Sequence, residues 1–207
     1  REKLIDALGD ILPAECILTN PGALVESATD ATDLRMELPL LVVEPDTTEQ
    51  VAELVKLAND MKFALIPRGG GSGMTGGAVP ARKRTLIVSL TRLTRVGPID
   101  MKEMTITCQA GAITQTVIND VDAAGALFSV DPASKQASTI GGNVSENAGG
   151  PMAFEYGTTL DNLLWWRMVT PTGEIITIER ENHPRHKILP TETAIFVVKD
   201  VSGGVRN

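Results

Sequence analysis

The stretch IPRGGGSGMTGGAVP, Ile66 to Pro80, places six glycines among fifteen residues, directly after an apolar run. It contains a G-x-G-x-x-G from Gly71 to Gly76. Glycine reaches positive φ at no steric cost and lets backbone N–H groups approach an anion closely, so such a loop can surround a pyrophosphate. A surface turn can have the same composition, and the flanking sequence separates the alternatives. A Rossmann turn needs a strand before the glycines, a helix opening on them and an acidic residue about twenty positions later. FALIP (63–67) supplies the strand, but after Gly77 the chain reads AVPARKRTLIVSL, where Pro80 and a basic turn lead into another strand. No Gly-Lys-Ser/Thr follows, which excludes a Walker A loop.

Upstream, EPDTTEQVAELVKLANDM (44–61) predicts an amphipathic helix. Asp46 and Thr47 offer N-cap oxygens, Glu49 and Gln50 can complete a capping box, and Val51, Leu54, Val55, Ala58 and Met61 repeat at helical spacing. LPLLVVEP (38–45) before it and FALIP after it read as strands, giving a β-α-β unit. Residues 3–9 read as a short helix. Downstream, RTLIVSL (84–90) and MTITCQAG (104–111) read as strands and ITQTVINDVDAAG (113–125) as a helix closed by Gly125. ALFSV (126–130) reads as a further strand. A PTGE turn (171–174) before EIITI predicts a hairpin, and AIFVVKDVSGGVRN (194–207) reads as a strand entering a turn with no partner strand after it.

Bulk properties narrow the function. The chain has 207 residues, an apolar fraction of 43% and a net charge of −7, so it can bury an ordinary core and has no basic field to hold a nucleic acid. The RKR at Arg82 to Arg84 reads as a solvated turn. Cys16 and Cys108 lie far apart without metal-ligand spacing, which favours reduced thiols in a cytoplasmic protein. No apolar run reaches the ~18 residues of a membrane span. His183 and His186 are the only histidines, and Pro184 between them breaks helical presentation. A surface loop is the expected reading there, and no metal site. If Trp165 and Trp166 lie on a strand, they point to opposite faces, one to the core and one to a domain not present in this chain.

A second small-residue segment, STIGGNVSENAGG (138–150), again pairs glycines with hydroxyl and amide side chains. Two such segments could clasp a long ligand through backbone amides, and two independent surface turns remain the alternative on chemistry alone. PRGGGSGMTGG (67–77), DPASKQASTIGGNVSENAGG (131–150) and YGTTLDNLL (156–164), in that order, resemble the FAD-binding domain of FAD-linked oxidases. This family is similar to vanillyl-alcohol oxidase in its cofactor fold. It includes the glycolate oxidase flavin subunit and the D-lactate and D-2-hydroxyglutarate dehydrogenases. SATDATDLR (27–35), with LPLLVVEPDTTEQV behind it, resembles the family's opening segment.

The resemblance implies an α+β, two-lobed FAD-binding domain over residues 27–178, with lobes of about 27–97 and 98–178. A lead-in of 1–26 and an extension of 179–207 flank it, in a chain that is a fragment of a larger one. FAD would lie extended between the lobes. Arg68, Gly69, Gly70, Gly71, Ser72 and Gly73, with Thr75 and Gly76, would wrap the pyrophosphate. Pro132, Ser134, Ser138, Thr139, Ile140, Gly141, Gly142 and Asn143 would line the flavin and ribityl side, and Asn147, Ala148, Gly149 and Gly150 would complete the pocket. Tyr156 would touch the flavin or be a buried ring. Some relatives attach flavin through a histidine in the first loop. The matching position is Ser72, so the FAD is expected to be non-covalent. Glu155 and Leu160 stand where relatives often carry basic residues.

The family's substrate domain and its GSEGTLG-like segment have no counterpart in this sequence, so the catalytic groups are expected beyond Asn207 or in another subunit, and the expected partner is the missing substrate domain or an electron-acceptor subunit. The implied function is that of a flavin-dependent oxidoreductase, oxidising a small-molecule 2-hydroxy acid when complete. A non-catalytic flavin-binding module or interaction domain is the alternative.

Overall fold

In a computed structural model of the chain, residues 1–32, 37–183 and 186–206 are described. Residues 33–35 of the SATDATDLR segment and Pro184 between the histidines lie outside them. The backbone forms two units, Arg1–Thr94 with Val169–Glu174, and Arg95–Met168 with Ile175–Asn207.

The first unit runs α1 (Glu2–Gly9), β1 (Ile17–Leu18), α2 (Pro21–Glu26), β2 (Leu41–Val43), α3 (Thr48–Met61), β3 (Ala64–Arg68) and β4 (Thr85–Ser89). The α3 helix starts on the expected capping box. Gln50 N donates to Thr47 Oγ1 at 3.1 Å and Thr47 N donates back to Gln50 Oε1 at 3.2 Å. Asp46 is used differently, accepting from Arg92 Nε at 2.6 Å. The sheet order is β1-β2-β4-β3, with β2 and β3 each parallel to β4. The two strands joined by α3 are therefore not neighbours, because β4 enters between them. Leu41, Val43, Leu86 and Val88 pack with Leu4, Leu8, Leu54 and Ala58 in the core of this unit. Burial along the whole of β4 is what a covered parallel strand requires.

The second unit runs β5 (Val96–Asp100), β6 (Thr105–Cys108), α4 (Thr114–Ala123), α5 (Ile140–Glu146), α6 (Ala153–Tyr156), α7 (Thr159–Asn162), β7 (Trp165–Val169), β8 (Ile175–Arg180) and β9 (Phe196–Lys199). β5 and β6 are antiparallel, and Val117 and Val121 of α4 pack with Val96, Ile99, Ile106 and Phe128. The ALFSV segment carries no ladder among the described residues. Gly125, at φ +79°, closes α4, Ala126 N returns to Val121 O at 3.1 Å, and Phe128 is held by packing alone. The PTGE turn joins β7 to β8, with Gly173 at φ +82° and Thr170 N donating to Glu174 O at 2.8 Å. This tip belongs to the first unit, where Asn59 Nδ2 donates to Pro171 O at 2.8 Å. β9 pairs antiparallel with β8, and Val205 forms a bridge with Lys199. Trp166 meets the Phe196 ring edge-on at 5.5 Å, while Trp165 is exposed.

Candidate cofactor-binding segments

The first glycine loop leaves β3 at Arg68, with Gly71 at φ +64° and Gly76 at φ +77°. Among the described residues, no protein acceptor receives the backbone N–H of Gly69, Gly70, Gly71, Ser72 or Gly73. Successive backbone N–H groups without protein acceptors are the donors that a backbone anion site uses. Ser72 is half-buried and Thr75 exposed. Arg68 turns its guanidinium onto the protein, with Nη1 donating to Ala78 O at 3.2 Å and Nη2 to Glu26 O at 3.3 Å. Burial pushes this guanidinium below its ordinary pKa, against the raising effect of Asp30 and Glu26. It remains charged, as arginine does in proteins.

The second segment is organised around buried hydroxyls. Ser138, Thr139 and Asn143 are buried, with Thr114 Oγ1 at 2.8 Å from Ser138 Oγ and Asn143 Nδ2 donating to Thr114 Oγ1 at 2.8 Å. Pro132 is also buried, and the carbonyl of Ser134 accepts from the N–H groups of Ala137 and Ser138 at 2.8 Å each. The N–H groups that open α5, among the backbone amides expected to meet a ligand, are used within the protein. Ile140 N donates to Ala112 O, Gly141 N to Ala110 O, Gly142 N to Thr139 Oγ1 and Asn143 N to Thr139 O. Thr114 N and Gln115 N, opening α4, donate to Ser138 O and Lys135 O in the same way.

At the far end of the segment, Asn147 adopts φ +49° and accepts from Leu160 N at 2.9 Å, while Ala148 O accepts from Thr159 Oγ1 at 2.7 Å. Among the described residues, the N–H groups of Gly149 and Gly150 have no protein acceptor. Tyr156 ends α6 with its side chain exposed, which overturns the buried-ring alternative, and its carbonyl accepts from Asn162 Nδ2 at 3.0 Å.

Three contributors to this framework escaped the sequence reading. Ala110 lies against Gly141, Thr114 centres the hydroxyl network, and Arg180, only 5% exposed, donates to the carbonyls of Leu160 and Asp161 that end α7. The small-residue run Ala110–Ala112 was the available signal for the first. His186 sits on the surface with Nε2 at 3.1 Å from Glu192 Oε1, and no group of three His, Cys, Asp or Glu among the described residues could hold a metal ion. None of the described helices is long and apolar enough to cross a membrane.

The first unit thus presents a glycine loop with unpaired donors after a parallel strand, and the second a glycine segment fixed by a hydroxyl network. The family of the FAD binding domain matches residues 39–179. The chain is 32% identical to glycolate oxidase subunit GlcD of Bacillus subtilis (strain 168), over 85% of this chain and 36% of that protein. It is 38% identical to D-lactate dehydrogenase of Anaerostipes hadrus, over 68% of this chain and 29% of that protein. A solved structure of alkyldihydroxyacetonephosphate synthase superposes with a TM-score of 0.77 at 26% identity, covering 89% of this chain and 35% of that one. The chain belongs to the FAD binding domain family, with the vanillyl-alcohol oxidase type of fold, and FAD is its cofactor. It spans about a third of the length of these relatives.

Proposed function

We propose that this chain is the FAD-binding part of a flavin-dependent dehydrogenase or oxidase whose whole protein oxidises a 2-hydroxy acid. The observation that carries the cofactor reading is the run of five unpaired N–H donors at residues 69–73, with Gly71 at positive φ in its middle. Those donors would hold the pyrophosphate without a side chain in the way. Gly149 and Gly150 offer two further unpaired donors in the second unit, so Asn147, Ala148 and Tyr156 would contribute as the frame that presents them. Ser138, Thr139 and Asn143 are buried, and Thr139 holds the N–H of Gly142 while the Ala112 and Ala110 carbonyls hold those of Ile140 and Gly141. A serine at position 72 offers no imidazole for a flavin linkage, which supports non-covalent binding.

Bound FAD supplies the acceptor for a hydride from the α-carbon of the substrate. The work of this chain is to bind and orient that group, and the groups that hold the substrate and take its hydroxyl proton belong to further sequence or another subunit. The substrate class is supported by the glycolate oxidase subunit and D-lactate dehydrogenase among the relatives. Anaerobic mixing of the FAD-loaded longer protein with glycolate, D-lactate or D-2-hydroxyglutarate tests it. Bleaching of the flavin band by one of these acids is expected, and no bleaching by any of them contradicts the assignment.

A further inference from the structure

We propose that Arg68 is a positioning residue for the glycine loop, setting the conformation in which the N–H groups of residues 69–73 stay unpaired, and does not itself meet the cofactor. The proposal rests on the cofactor reading above. Both terminal nitrogens of Arg68 already donate to protein carbonyls, one at Ala78 beyond the loop and one at Glu26 at the end of α2. A single side chain thus ties the start of the loop to its far end and to a neighbouring helix. A planar guanidinium can hold two such acceptors at fixed geometry, which a lysine ammonium does not reproduce. Gly71 completes the arrangement. A Cβ built there would fall on Nη2, Cζ and Nη1 of Arg68, so a side chain at this position forces the guanidinium to shift from the place where it meets the two carbonyls. The glycine is needed by Arg68 as well as by its own φ of +64°.

A four-chain cycle of the parent, Arg68→Ala, Gly71→Ala and the double variant tests this, with FAD affinity read by flavin fluorescence and stability by thermal unfolding. Arg68→Ala is expected to weaken FAD binding by about 10-fold. Gly71→Ala is expected to do at least as much, while the double variant falls only about 3-fold below the weaker single, because the second change removes what the first has already displaced. Arg68→Lys should not rescue binding. Guanidinium ion added to Arg68→Ala should restore part of it, where equal sodium chloride does not. Additive losses, or unchanged FAD affinity in Arg68→Ala, would overturn the proposal. A parent chain that binds no FAD would count against the cofactor reading instead. The unfolding cycle then decides, since Gly71→Ala must lower the midpoint more in the Arg68 background than in the Arg68→Ala background, and equal shifts overturn the loop lock.

Discussion

The hydroxyl of Thr114, in the first turn of α4, stands 2.8 Å from that of Ser138 and also donates to the Ser138 carbonyl at 3.0 Å. Asn143 of α5 donates to the same Thr114 oxygen at 2.8 Å, and all three residues are buried. One hydroxyl therefore joins two helices and the segment between them. Thr114→Val keeps the shape and removes the oxygen, leaving the Asn143 amide and the Ser138 hydroxyl without their partner. A buried polar group deprived of its partner costs roughly 1–3 kcal/mol. Urea unfolding is expected to show a loss of that size with an unchanged slope, and a variant as stable as the parent would show that the network is dispensable.

Gly141 and Gly142 are adjacent in α5 but meet different neighbours. A Cβ at Gly141 would lie 2.7 Å from Ala110 Cβ and 2.9 Å from Ala110 O, while the Gly141 N–H holds that same carbonyl at 2.8 Å. Backbone cannot give way there without loss of the bond. Gly141→Ala is expected to destabilise by about 1–3 kcal/mol, as overpacking does. At Gly142 the nearest atom is the Thr139 hydroxyl at 3.2 Å, and the helix gains from losing a glycine. Gly142→Ala should stay within about 0.5 kcal/mol of the parent. Equal effects at both positions would contradict this account of the packing.

The sequence made the local elements legible where capping and periodicity act within a few residues. Thr47, Gln50 and the apolar repeat defined α3, Gly125 closed α4, and the PTGE turn made its hairpin. It could not show that β4 enters between β2 and β3, because parallel pairing is a long-range choice among similar LVV and LIV runs. Nor did it separate ALFSV packed as an extended segment from ALFSV paired as a strand, since both bury the same side chains. Within the candidate site, glycines mark where a backbone is free to approach something. Which N–H groups remain unpaired depends on partners such as the carbonyls of Ala110 and Ala112, which are remote in sequence and marked only by a run of small residues.

Arg180 closes α7 from β8. It donates to Leu160 O and, at 3.0 Å, to Asp161 O, and its guanidinium lies 5.0 Å from the Phe196 ring centre. A cation at a helix C-terminus also meets the negative end of the helix dipole. Arg180→Met would keep the apolar bulk, leave the Asp161 carbonyl without a donor and leave the Leu160 carbonyl only the Leu163 N–H at 3.4 Å. A loss of about 1–3 kcal/mol in thermal or urea unfolding is expected. No change would mean that water replaces the arginine at no cost.

The two thiols are expected to be unreactive in the folded chain. Cys16 is fully buried, and burial is the main reason its pKa is raised. The Cys108 thiol is pushed up to about 11, by burial first and then by Asp120. Because the thiolate is the nucleophile, a raised pKa leaves little of it near neutral pH. Labelling by a disulfide reagent at about pH 8 should be at least ~10-fold slower than in the urea-unfolded chain, and should accelerate as pH rises towards the Cys108 value. Rapid labelling of both cysteines in the folded state would contradict the burial.

Titration of the purified chain with FAD, followed by acid precipitation, tests the central claim most directly. The account predicts saturable binding, seen as quenching of flavin fluorescence and structuring of the visible absorption band, and then release of all the yellow colour into the supernatant. Absence of binding by the folded chain, or flavin retained on the precipitated polypeptide, would contradict it.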